Sequence, residues 1–225
     1  MSDRIALRWS WFATLQAVLA AAILAVGIPA IITARYDLGF HSRIDPTGGP
    51  AGLQAGEKVA DLEQEVPRTG VEARDLGFAL LSRGNDPDLP EAAQSRVVAR
   101  AAGWFREYLA NVPGDGQAWA GLASAQIRLG DFAHGAGALR MSILTAPWSD
   151  SLVQWRCGLG IDLFRALNSE ERELMKGQFR VAAQRSISSL VRTAIGRNGT
   201  RIARLFLASS PDELLKFEVE LAKRQ

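Results

Sequence analysis

Residues Trp119–Pro147, WAGLASAQIRLGDFAHGAGALRMSILTAP, read as two short helices folded back on each other. Small residues recur inside both halves at Ala123, Gly135, Ala138 and Ser142, where a large side chain would hold the helices apart. Between the halves stands Leu129-Gly130-Asp131-Phe132. Gly130 can take the left-handed conformation that closes one helix, and Asp131 can cap the next. Working outward, Pro113 stands just before the unit as Pro147 stands at its end. The same punctuation therefore recurs at one period and implies further hairpins beside the central one.

Trp119, Leu122, Ala123, Gly130, Asp131, Phe132, Gly135, Leu139, Ser142 and Pro147 resemble a tetratricopeptide (TPR) unit. The period of that repeat is about 34 residues, which is the separation of the two prolines. One position departs from the pattern, since Gln126 stands where the family usually has Tyr. The resemblance implies stacked antiparallel helical hairpins with a concave groove lined by the first helix of each pair. A single repeat cannot bury its apolar face alone, so about three stacked hairpins are the minimum for a stable array.

The flanks carry the same periodicity. Before the central unit, Val71, Leu76, Phe78, Ala79, Leu80 and Leu81 predict a helix closed by Gly84, and Asn85 to Pro90 breaks the chain. A second helix over 91–111 carries Val97, Val98, Ala101, Trp104, Phe105, Tyr108 and Leu109 at steps of 3 and 4, which assigns its aromatic stripe to the core. After Pro147, Leu152 to Leu167 predicts another apolar helix, and Asn168 with Glu171 forms a capping pattern for a long one ending at Gly196–Gly199. A short helix over 200–207 and a final one capped by Ser210, with Pro211 in its first turn, complete an all-α domain over 69–225. No alternating strand pattern of useful length appears.

The beginning of the chain is different in kind. Trp9 to Thr33 runs without a single charge and is long enough to span a bilayer with some tilt, with Trp9, Trp11, Phe12 and Tyr36 as interfacial anchors. The competing reading is a cleaved signal peptide with a small-x-small site near Gly27 or Ala34, but the apolar run is longer than the hydrophobic stretch usual in such a peptide. Residues 1–36 are therefore expected to be an anchor and 37–68 a linker with a short acidic helix over 57–65. Arg4 and Arg8 before the run are matched by Arg35 and Arg43 after it, so charge alone leaves the orientation open. The short N-terminus favours a folded domain on the outer, periplasmic side of a bacterial inner membrane.

Composition excludes several classes of chemistry. The chain has 225 residues, 48% of them hydrophobic and 22% charged, with a net charge of only +2, which is the balance of a protein that folds. Cys157 is the single cysteine, so neither an intramolecular disulfide nor a CxxC clamp can form, and the thiol reads as a small buried side chain. His41 has no second metal-binding side chain spaced to meet it, and His134 follows the central turn with no Ser or Cys tied to it. A non-catalytic protein without cofactor or metal is the expectation.

Two groups of residues are the candidates for binding. In the central unit Ala120, Ser124, Ile127 and Arg128 take the groove positions, so Ser124 and Arg128 are the polar candidates for gripping a partner, unless they contact the adjoining hairpin instead. From Leu174 to Leu207 the chain carries Lys176, Arg180, Arg185, Arg192, Arg197, Arg201 and Arg204 and no Asp or Glu. That run could dock phospholipid headgroups, an acidic polysaccharide or an acidic protein face. The alternative is a solvated face whose acidic partners lie on neighbouring segments such as Asp61 to Asp75. Nucleic acid is not expected, because no aromatic residues interleave with the arginines.

The runs Leu139-Arg140-Met141-Ser142 to Ala146-Pro147, Leu152-Val153-Gln154-Trp155-Arg156 and Glu171-Arg172-Glu173-Leu174, with Gln178 and Arg180, resemble the VpsP family of small membrane-anchored bacterial proteins. That resemblance implies an inner-membrane scaffold or accessory of surface-polysaccharide biosynthesis or export. It transfers no catalytic residue. A general envelope TPR adaptor for assembling a membrane protein complex is the alternative reading.

Overall fold

The structure is a computed structural model that describes residues 70–224; the expected anchor, the linker and His41 lie outside the described residues. Among the described residues there are eight helices and no strand. They are α1 (Val71–Arg83), α2 (Glu91–Asn111), α3 (Gly116–Arg128), α4 (Phe132–Thr145), α5 (Asp150–Asp162), α6 (Ser169–Gly196), α7 (Thr200–Leu207) and α8 (Pro211–Ala222). Among the described residues, none of these helices is long and apolar enough to cross a membrane.

Consecutive helices pack as pairs, α1 with α2, α3 with α4 and α5 with α6, while α1, α3 and α5 also touch one another in a row. The central hairpin is built as its turn residues require. Gly130 adopts φ +76°, the Asp131 N–H donates to the Gln126 carbonyl (2.9 Å), and the Asp131 carboxylate caps α4 at the His134 N–H. Two periods on, Asn198 adopts φ +51° and the Gly199 N–H donates to the Ala194 carbonyl (2.7 Å), which repeats the same turn. Gln126, the departure from the repeat pattern, is buried. With its amide nitrogen toward Asp131 it donates to Oδ2 (3.1 Å) and accepts from Arg106 Nη2 (2.7 Å), tying α3 to α2 and to the turn.

The long helix expected over 169–196 is in fact two segments. Ser186 has φ −158° and ψ 89° in the middle of α6, and its hydroxyl accepts from the Ser189 N–H (3.4 Å) as a cap for a new start. Along α5, residues of rising number meet the first half of α6 in falling order, Asp150 with Arg185, Arg156 with Gln178, and Gly160 with Met175. They meet the second half in rising order, Gln154 with Ser186 and Asp162 with Arg197. The chain therefore reverses at Ser186, and 187–196 lies parallel to α5 as the first helix of a fourth pair completed by α7. The run Ser186-Ile187-Ser188-Ser189 marks the place, but without Gly or Pro it conceals the reversal, because the capping role of Ser186 depends on backbone that the periodicity does not show.

Capping expectations are met unevenly. Asn168 Oδ1 accepts from the Glu171 N–H and Glu171 Oε2 from the Asn168 N–H, both at 2.9 Å, a complete capping box. Ser210, by contrast, makes no side-chain cap hydrogen bond to α8. The aromatic stripe of α2 is core as its spacing implies, with Phe105 fully buried and edge-on to Phe78 at 4.8 Å.

Asp115 joins the first two pairs. Its Oδ1 accepts from the N–H groups of Gln117 (2.8 Å) and Ala118 (3.0 Å), and its Oδ2 accepts from the Tyr108 hydroxyl (3.0 Å) and from Arg74 Nη1 (3.3 Å). Burial pushes the carboxyl up, but the Ala118 N–H, the Tyr108 hydroxyl and the Arg74 guanidinium outweigh it and hold it below its ordinary value. A carboxyl lowered on folding contributes stability above its ordinary range and loses it as pH falls through the folded value. Asp115→Ala is therefore expected to cost about 2 kcal/mol at neutral pH, as a lost cap and lost charged hydrogen bonds. Urea unfolding of both proteins should show that gap closing below about pH 4; a gap unchanged in acid would leave only packing as the cause.

Candidate functional site

An open groove runs between α5 and the second half of α6, lined by Gln154, Trp155, Gly158, Arg192, Thr193, Gly196 and Arg197, with a cavity of about 520 Å³. Trp155 is half-buried, and its ring lies 6.1 Å from that of Phe78 in α1. The contact spans three helices because Gly121 of α3 has no side chain; a Cβ there would stand 2.9 Å from Phe78 Cε1. Gly158 plays the same part for Arg197, whose Nε would be 2.6 Å from a Cβ at that position.

The polar lining is unevenly satisfied. Arg197 pairs with Asp162, and burial pushes its guanidinium down. Arg192 is exposed, donates to Ser189 Oγ at 3.0 Å and pairs with no carboxylate among the described residues. Gln154 Nε2 donates to the carbonyls of Ala182 and Ser186, both at 3.4 Å, while its Oε1 is buried without a partner. An indole, the Arg192 guanidinium with no carboxylate beside it among the described residues and the Thr193 hydroxyl on one wall suit an anionic ligand that also has an apolar or ring-shaped face.

The candidates expected from sequence come together only in part. Arg192 lies in the groove. Lys176 bonds Glu173 (2.6 Å) on the first half of α6, Arg180 is exposed on that same half, and Arg185 pairs with Asp150 at the reversal. Arg204 bonds Glu218 of α8 (2.6 Å). Among the described residues the acid-free run is answered in space by acids on α5, α8 and the start of α6, because the reversal at Ser186 turns its arginines onto different neighbours, while most of the segment 61–75 lies outside the described residues. Exposed pairs of this kind contribute about 0–1 kcal/mol each.

Arg128 is engaged with the adjoining hairpin. Its Nη1 donates to Asn85 Oδ1 (2.6 Å) and its Nη2 to the Gly84 carbonyl, and burial pushes the guanidinium down. Ser124 is half-buried on α3. Sequence reasoning missed Trp155 and Gln154 as groove residues, yet the period held the signal, since Gln154 and Gly158 follow the groove positions Ala120 and Ser124 by one full repeat.

Cys157 is fully buried and burial pushes its thiol well up. His134 Nδ1 lies 2.8 Å from Asp131 Oδ2 on an exposed turn, a cap contact away from the groove. Among the described residues, no group of three or more His, Cys, Asp or Glu is arranged to hold a metal ion. No family model matches the chain, and neither a curated protein nor a solved structure matches it.

Proposed function

We propose that this chain is a non-catalytic scaffold, a TPR-like array held at the bacterial inner membrane by its uncharged N-terminal run, that serves surface-polysaccharide biosynthesis or export. The observation that carries the binding role is the groove of Trp155, Gln154, Arg192 and Arg197, formed by two parallel first helices of the array. Four stacked pairs fit the repeat reading, and the recurrence of turns at whole periods fits it further. The assignment to polysaccharide rests on the resemblance carried by residues 139–180 and is supported by a groove whose charge and indole suit an acidic glycan. The membrane proteins of the same assembly would be its other partners.

The test is binding and phenotype together. Calorimetric titration of the full chain in detergent with an acidic oligosaccharide should show an affinity that Arg192→Glu weakens by roughly tenfold or more, which is about 1.4 kcal/mol, while Arg180→Glu on the other half of α6 leaves it unchanged. Deletion of the gene should lower exopolysaccharide, and the Arg192→Glu form should fail to restore it. Equal binding by both variants would remove the groove from the reading, and an unchanged polysaccharide yield would remove the pathway.

A further inference from the structure

The outer face of α8, the last helix among the described residues, carries exposed apolar side chains. Leu215 is 66% exposed and Val219 52% exposed, one helical turn apart, while Phe217 and Leu221 on the opposite side are buried against the domain. Asp212 lies at the start of that outer stripe, Lys216 along its rim, and Ala222 and Lys223 at its end, all exposed. The remaining polar residues of α8 are engaged inward, Glu213 with Gln184, Glu218 with Arg204 and Glu220 with Ser188.

We infer that a second copy of this chain covers this face, α8 pairing antiparallel with α8 about a two-fold axis at the level of Phe217. That register lays Leu215 on Val219 of the other copy and brings Asp212 to the end carrying Lys223, and the symmetry repeats both contacts. Charge selects the orientation. An antiparallel pair sets the exposed Asp212 of the first turn against the exposed Lys223 at the basic end, whereas a parallel pair would oppose each with its own kind; Glu213 and Arg224 are held within their own copy by Gln184 and Glu220. Lys223 already reaches Glu220 at 3.2 Å in its own helix with an exposed side chain, so it can share a carboxylate of the partner without losing a buried bond. A lipid surface is the poorer occupant, since the rim carries Asp212 as well as Lys216 and Lys223. The inference is independent of what the groove binds.

Cysteine cross-linking of the full chain in its membrane tests it. Cys157 is fully buried, so a thiol placed on α8 is the reactive one. Leu215→Cys and Val219→Cys chains, differently tagged and co-expressed, should give on mild oxidation the mixed 215-to-219 dimer roughly tenfold above the 215-to-215 dimer. Adding Lys223→Asp should reduce that yield several-fold, and adding Asp212→Lys together with it should restore it. A dominant 215-to-215 product would overturn the inference in favour of a parallel pair. Yields indifferent to the charge exchange would reduce it to random collision. Absence of any product, with both thiols shielded from a maleimide only while lipid is present, would assign the face to the bilayer instead.

Discussion

Replacing Arg156 with alanine is expected to destabilise the domain by about 2–5 kcal/mol through the cavity and the orphaned carbonyls, a large share of the roughly 5–15 kcal/mol that holds a typical domain together. Arg156 is fully buried at a position of α5 that stands one repeat after the core residue Leu122. Its Nε donates to Ser142 Oγ (3.0 Å), its Nη1 to the Ala146 carbonyl (2.9 Å) and Gln178 Oε1 (3.5 Å), and its Nη2 to the Ser142 carbonyl. The Ser142 hydroxyl in turn donates to the Gly116 carbonyl at 2.6 Å, so one network joins α3, α4, α5 and α6. None of these acceptors carries a charge, yet the carbonyls of Ser142 and Ala146 close the C-terminal end of α4, where a cation is favoured.

Burial pushes the guanidinium down to about 10, so the charge itself is a cost of folding and the hydrogen bonds offset it. A cation lowered on folding recovers that cost only as pH rises above the folded value, so the loss in Arg156→Ala should be flat between pH 6 and 9. Arg156→Met separates the contributions. It keeps the volume and removes the charge but orphans the same carbonyls, and should cost less, about 1–3 kcal/mol. Urea unfolding followed by helical circular dichroism measures all three proteins. A loss below about 1 kcal/mol in the alanine variant would mean that water enters and serves the carbonyls in place of the side chain.

This network shows where sequence reading stops. The hairpins were legible because their signals are local: Gly130 needs a left-handed turn, Asn168 and Glu171 cap each other, and the apolar positions of α2 step by 3 and 4. Arg156 carries no local signal, because its acceptors are backbone carbonyls supplied by another helix, and an arginine amid apolar residues is equally a surface side chain by pattern. The groove was half legible for a related reason. Arg192 stood out in a run without acids, but which of those arginines share a wall depended on the reversal at Ser186, whose trace in the sequence is three serines without Gly or Pro. Asp150, Asp162 and Glu218 then neutralise arginines from which they are far separated in sequence.

Gly121→Leu should cost about 3 kcal/mol or more, and Gly121→Ala should destabilise even though alanine is the better helix former. In the middle of a helix the exchange gains about 1 kcal/mol of propensity. Here the new Cβ would stand 2.6 Å from Phe105 Cζ and 2.9 Å from Phe78 Cε1, inside any real carbon contact. Phe105 has little room toward α1, because Gly77 lies against the same edge of the ring and a Cβ at Gly77 would itself stand 2.9 Å from Phe105 Cε1. The ring is fully buried between two glycines on adjacent first helices. Overpacking of this kind costs about 1–3 kcal/mol and exceeds the propensity gain. Gly137 of α4 provides the control, since a Cβ there meets nothing within 4 Å and Gly137→Ala should stabilise by up to about 1 kcal/mol. Opposite signs for one substitution at two helical glycines would tie the spacing of α1 and α3 to Phe105, and with it the reach of Phe78 to Trp155 at the groove. The same sign at both would leave that spacing to be set by the ends of the helices, where Arg128 holds the Gly84 turn and Asp115 holds Arg74.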